Sequence, residues 1–277
     1  MSAHFILLGL CAIAVLAWAH ASGVVYVGRT MAGLTIVRDD NRVMDERIRV
    51  LAVRRTYQSA TYLDERWADP VFPYHLMFDH VFDAWPAGDG PATMAVLGGG
   101  GYAVPKHLIA HHPQVRRLDV VEIDPAIERI ARRFFFVDRL EELWQAESSG
   151  RLRLHVADAY DWLTASDERF DAIINDCFCA LAPEASLMNP TGAKLVASRL
   201  KDGGVYLTNV VSSLEGPDAT LLYETIAALQ QAFSHVWVYP CSADEPAASD
   251  NNIVLATDAP HYFAGAWEWP STTEEDQ

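Results

Sequence analysis

From Met94 onward, short apolar runs alternate with helical stretches: MAVLG precedes a helix from about residue 104, LDVVEI one from Pro125, LRLHV a short one near Tyr160, and DAIIN one from about residue 191. Helical crossovers between apolar strands impose parallel pairing in one sheet covered by helices on both faces. GGVYLTNVV and the helical LLYETIAALQQAF continue the pattern, but HVWVYP and NNIVLAT then follow one another closely enough to pair as an antiparallel hairpin. The expected fold is α/β, a doubly wound sheet with a C-terminal antiparallel strand pair, over residues 89–265.

Upstream the grammar differs. Residues 24–88 open with alternating bursts (LTIVRDD, IRVLAVR, SATYLDE) that predict a small antiparallel β region. A linking helix follows over roughly 70–85 and ends at the turn-rich PAGDGP. Residues 1–23 form a hydrophobic segment, and residues 5–27 hold no Asp, Glu, Lys or Arg, a length sufficient to cross a bilayer. This stretch reads as a membrane anchor, as a signal peptide ending near Ala19-His20-Ala21, or as a buried segment running into the first strand. A spanning segment would place the globular part in the cytoplasm, because Arg29, Arg38 and Arg42 lie just after it. Residues 266–277 are an acidic tail whose last residues, TTEEDQ, predict disorder.

A formal net charge of −16 argues against a nucleic-acid partner, whose binding needs clustered Lys and Arg. It suits a cationic small molecule, although acidity that simply keeps the protein soluble explains the charge more readily. The four cysteines, Cys11, Cys177, Cys179 and Cys241, do not form a disulfide framework or a zinc spacing, so no metal is assigned and a reducing compartment fits.

Chemistry concentrates at the predicted strand ends. The first strand of the alternating region runs into Gly98-Gly99-Gly100-Gly101, and Pro105 follows where a helix's first turn tolerates a missing N–H. Such a loop lets backbone approach a ligand closely, although a tight turn without ligand has the same form. With Ala103 and Glu122 it also fits a nicotinamide fingerprint. Glu122 ends the next strand, where a carboxylate can take both hydroxyls of a ribose. Asp158 follows the third strand, where it could accept an adenine amine. Either acid could instead cap a helix. Asp176 ends the fourth strand and opens a stretch without periodicity until about Thr191, read as a lid; the acid could instead serve as a cap or an Asx turn that stabilises the loop. In alkyl transfer from a sulfonium the leaving group is already activated, so a carboxylate that holds a cationic amine and accepts its proton is what remains for the protein to supply.

The order LGGGG, VEIDP, VADA, INDCFCALAPEASLM and KDGGVYLTN, preceded by YQSATYLDERWADPVFPYHLMFDH, resembles the spermidine synthases (polyamine aminopropyltransferases), and the N-terminal apolar segment resembles their bacterial membrane-associated relatives. That resemblance implies a Rossmann-like sheet of the class I S-adenosylmethionine-dependent methyltransferase type. The co-substrate would be decarboxylated S-adenosylmethionine, or S-adenosylmethionine itself, and the acceptor a small amine such as putrescine. It further implies Glu122 on the ribose, Asp158 on the adenine, Asp176 as catalytic base, and Gln58 with Gly98, Gly99, Gly100 and Gly101 on the nucleotide. Tyr74, His75, Cys179 and Pro183 would meet the substrate, with Leu187 in the gate loop, and the family's frequent dimers or tetramers make a homodimer an expected assembly. Two departures stand out: where the family carries an acid after its third glycine this chain has Gly101, and where it carries a second loop acid this chain has Cys179. Each lost charged contact would cost about 1.5–3 kcal/mol in binding the donor's amine or the acceptor. A methyltransferase, or a module that binds the nucleotide without turnover, are therefore the competing expectations.

Overall fold

The computed structural model describes residues 22–41, 46–54, 56–85, 89–179, 182–183 and 185–270. The first element is a four-stranded antiparallel meander, β1 (Val24–Thr30), β2 (Gly33–Asp40), β3 (Ile48–Val53) and β4 (Thr56–Tyr62), paired in chain order. Its β1–β2 connection is a two-residue tip, Met31-Ala32, closed by Gly33 at φ +120°. The tight β3–β4 turn holds Arg54 at φ +49°. Val37 and Leu51 pack into the main core, while Ile48, Val50 and Ala60 close on Val71 in a satellite cluster.

Pro73 at N1 starts α1 (Pro73–Met77), which passes directly into a 3₁₀ turn over Phe78–Ala84 where the apolar spacing predicts one helix. The main sheet follows: β5 (Thr93–Leu97), β6 (Arg117–Glu122), β7 (Leu152–Val156), β8 (Phe170–Asn175), β11 (Leu200–Ser212), β12 (His235–Pro240), β13 (Asp250–Thr257) and β14 (Trp267–Trp269). Between β8 and β11 the chain forms a two-residue strand pair, β9 (Phe178–Cys179) with β10 (Ala182–Pro183), in the stretch read as a lid. The spatial order in the main sheet is β14-β12-β13-β11-β8-β5-β6-β7.

Strands β7, β6, β5, β8 and β11 run parallel, and β13 then pairs antiparallel with both β11 and β12. The terminal antiparallel pair is thus present, with β13 rather than β12 on the inside. Its edge is extended by β14, formed within the residues that composition assigns to the acidic tail. Side chains of β5 alternate between two cores: Met94 and Val96 face one, Ala95 and Leu97 the other. The first core is covered by α2 (Ala103–His111), α3 (Pro125–Phe134) and α4 (Asp138–Trp144), the second by α5 (Ala159–Ala165), α6 (Pro190–Ser198) and α7 (Thr220–Leu229). Burial of both faces is why the parallel strands read as continuous apolar runs. Strand order reverses between β5 and β8, which opens a crevice at their carboxyl ends.

Residues 24–27 of the apolar N-terminal stretch belong to β1, and its expected anchor lies outside the described residues. Among the described residues no helix is long and apolar enough to cross a membrane.

Candidate active site

A cavity of about 400 Å³ occupies the crevice, a size common for small-molecule sites. Its walls bring together Gln58 from β4, Tyr74 and His75 from α1, Gly98, Gly99 and Gly100 after β5, Glu122 at the end of β6, Asp158 after β7 and Asp176 after β8. Gly101 is buried behind the wall. Cys179 and Pro183 lie in the β9–β10 pair, and their side chains are outside the described residues, whereas Leu187 is buried in the second core.

The glycines meet different demands. Gly98 takes φ +94°, and a Cβ there would stand 2.4 Å from the Asp176 backbone oxygen, so only glycine lets the loop cross the end of β8. At Gly101 a Cβ would stand 2.5 Å from Ser59 Oγ and 3.0 Å from Phe135. The space an acidic side chain would need is filled by Ser59, a β4 residue that sequence reasoning passed over.

Glu122, only 8% exposed, accepts from the amides of Gly99 and Gly100 through Oε2, each at 3.0 Å, and from the Asp124 amide through Oε1 at 2.9 Å. Burial pushes its carboxyl upward, opposed by these amide bonds. The carboxylate thereby shapes the glycine loop: its Oε2 is filled by two amides, while Oε1 keeps a second acceptor direction for a ligand. Asp158 caps α5 by accepting from the Asp161 amide at 2.9 Å, and the residue also lines the cavity. Asp124, unnoticed in VEIDP, caps α3 through Oδ1 and accepts from the Met31 amide through Oδ2, which seats the β1–β2 tip on the cavity rim. Arg54 also reaches that rim, a cation among acids that nothing in the local sequence flags.

Asp176 is held by side chains rather than by backbone amides. Its Oδ1 accepts from Asn209 Nδ2 on β11 at 2.9 Å, and its Oδ2 accepts from Tyr74 Oη at 3.2 Å with His75 Nε2 at 3.5 Å. Asn209 Nδ2 also donates to Asn251 Oδ1 on β13 at 3.0 Å, so two strands fix the carboxylate. The rings of Tyr74 and His75 lie 4.0 Å apart, and burial with the adjacent Asp176 charge pushes the Tyr74 hydroxyl well above its ordinary range. Tyr74 therefore stays a donor, and the site combines one oriented carboxylate with a protonated phenol beside a glycine-lined crevice.

A family model for the spermine/spermidine synthase domain matches residues 71–256. The chain belongs to this family. The β meander, including Gln58, precedes the matched span. Among curated relatives, a spermine synthase of Arabidopsis thaliana is 30% identical over 59% of this chain and 48% of its own length. A polyamine aminopropyltransferase of Serratia proteamaculans is 28% identical over 61% and 55% respectively. The chain thus spans about half the length of the curated relatives it matches. In structure it is similar to a probable spermidine synthase of Corynebacterium glutamicum, with a TM-score of 0.71 at 18% identity over 86% of this chain and 81% of that one. It also resembles human methyltransferase-like protein 13, with a TM-score of 0.56 at 21% identity over 68% and 83%. The α/β Rossmann-like, methyltransferase-type fold agrees with the expectation from sequence.

Proposed function

We propose that this chain transfers an aminopropyl group from decarboxylated S-adenosylmethionine to an amine such as putrescine. The observation that carries the reading is the Asp176 carboxylate, oriented by Asn209 and Tyr74 at the point where strand order reverses. In this reading the adenosyl group lies along the loop of Gly98, Gly99, Gly100 and Gly101, with Glu122 and Gln58 toward the ribose and Asp158 toward the adenine. Tyr74, His75, Cys179 and Pro183 surround the aminopropyl chain and the acceptor. The acceptor nitrogen attacks the carbon next to the sulfonium, a C–N bond forms as the C–S bond breaks, and the sulfur leaves as a neutral thioether. Asp176 accepts the proton released by the amine. No metal takes part in this step. Such a donor belongs to the cytoplasm, where we place the domain.

Methyl transfer from S-adenosylmethionine is the second reading. Ser59 and Phe135 occupy the space in which an acid at position 101 would reach the donor's amine, and Arg54 on the rim offers a partner for a carboxylate. A non-catalytic adenosyl-binding module accounts for the same features. Calorimetry with both donors, followed by mass spectrometry of products from putrescine, separates the three. Aminopropyl transfer requires tighter binding of the decarboxylated donor and formation of spermidine. Preference for the carboxylated donor with methylated product replaces it with the second reading, and binding without product from a panel of amines replaces it with the third.

A further inference from the structure

On the far side of α2 from the glycine loop, three side chains converge that the proposed reaction does not use. His107 Nε2 and His112 Nε2 stand 3.4 Å apart, and Asp79 meets both, with Oδ2 2.8 Å from His107 and Oδ1 3.4 Å from His112. His107 is 8% exposed, and Asp79 Oδ1 is buried with no hydrogen bond.

We propose that Asp79, His107 and His112 bind a divalent transition metal, zinc foremost, that clamps the 3₁₀ turn to α2. Two imidazole nitrogens bound to one tetrahedral zinc at about 2.0–2.1 Å lie roughly 3.3–3.4 Å apart, the spacing found between these two. Two nitrogens that close need a proton or a cation between them, because neutral acceptor lone pairs repel. Imidazole and carboxylate together suit zinc over magnesium or calcium. The surroundings fix the rings as a ligand set requires: His112 stacks on Phe82 with centroids 4.0 Å apart, and the Gln114 side-chain amide lies 3.3 Å from His112 Nδ1. A fourth position would fall to water. The clamp joins the turn that continues from Tyr74 and His75 to the helix that continues from Gly98–Gly100, so its consequence is rigidity of two cavity walls. A second cluster, Asp69 with His107 and His111, competes for the same imidazole but is the more exposed, with His111 paired to Asp69 at 2.7 Å.

The full chain, purified without a histidine tag and stripped with chelator, is titrated with Zn²⁺ by calorimetry against a competing chelator, and with Co²⁺ by visible absorption. The expected result is one equivalent bound, an intense tetrahedral-type cobalt band, and weakening by about a hundredfold or more in Asp79→Ala and His112→Ala. His111→Ala stays within about threefold of the parent chain. Absence of stoichiometric binding by the parent chain overturns the proposal, and this arm needs no variant to fold. Loss of binding in His111→Ala with retention in a folded His112→Gln overturns it as well, since the ion would then sit in the other cluster.

Discussion

Asn209 donates to Asp176 Oδ1 at 2.9 Å, which leaves Oδ2 to Tyr74 and the acceptor side of the cavity. If the carboxylate works as base, Asp176→Asn should lower kcat by about 10²–10⁴-fold while donor affinity changes little. Asn209→Ala should lower kcat less and leave the donor's KM nearly unchanged, because it frees the carboxylate to rotate without removing it. Steady-state kinetics over a range of donor concentrations test both. Full turnover by Asp176→Asn removes the base from the mechanism.

Gly98→Ala tests whether the loop's path is sterically imposed. The new Cβ would lie 2.4 Å from a backbone oxygen at a φ of +94°, so neither partner can yield as a side chain would. Backbone strain alone costs about 1–3 kcal/mol, and the overlap adds to it. Thermal unfolding should show a lower midpoint, and calorimetry an adenosyl ligand bound at least tenfold more weakly. An unchanged midpoint would contradict the geometry.

Restoring an acid at position 101 should fail alone and improve in combination. Gly101→Asp drives side-chain atoms into Ser59 and Phe135, at an overpacking cost of about 1–3 kcal/mol. Pairing it with Ser59→Gly relieves the nearest contact, so the double variant should be more stable than Gly101→Asp, with a coupling that chemical denaturation can measure. The same double variant should shift donor preference toward the decarboxylated form. Additive effects of the two changes would show that Ser59 does not occupy that space.

Lys106 predicts the alkaline behaviour of the fold. It is fully buried, its Nζ donates to Thr61 Oγ1 and to the Trp67 carbonyl at 2.8 Å each, and burial brings its pKa down from 10.5 to about 7. Between those values the unfolded chain binds a proton that the folded chain does not, so stability rises with pH across that window, by at most about 1.4 kcal/mol per unit. Urea unfolding from pH 7 to 9.5 should show this rise in the parent chain and its loss in Lys106→Met. Equal pH slopes for the two would sink the assignment.

Much of this architecture was legible because its signals are local. Four of the five parallel strands announced themselves by an apolar run with a cavity-lining residue at or just after the end: Gly98, Glu122, Asp158 and Asp176. Ser59, Arg54 and Asn209 did not stand out as wall or support, because what each faces at the cavity comes from segments far away in sequence, and no local pattern encodes that meeting. Asp158 illustrates a different limit: capping a helix and meeting a ligand were weighed as rivals, yet an acid at a strand-to-helix junction can cap the helix and still face the cavity. His107 and His112 match no metal-ligand spacing along the chain, because Asp79 reaches them from a 3₁₀ turn lying where a continuous helix was expected.

The Asp124 carboxylate has a consequence for how the cavity opens. One oxygen secures the first turn of α3 and the other secures the Met31 amide. Fraying at that helix start and lifting of the β1–β2 tip are thereby joined into a single excursion, so amide protons at Ala126 and Met31 should exchange in step, and whatever steadies one slows the other.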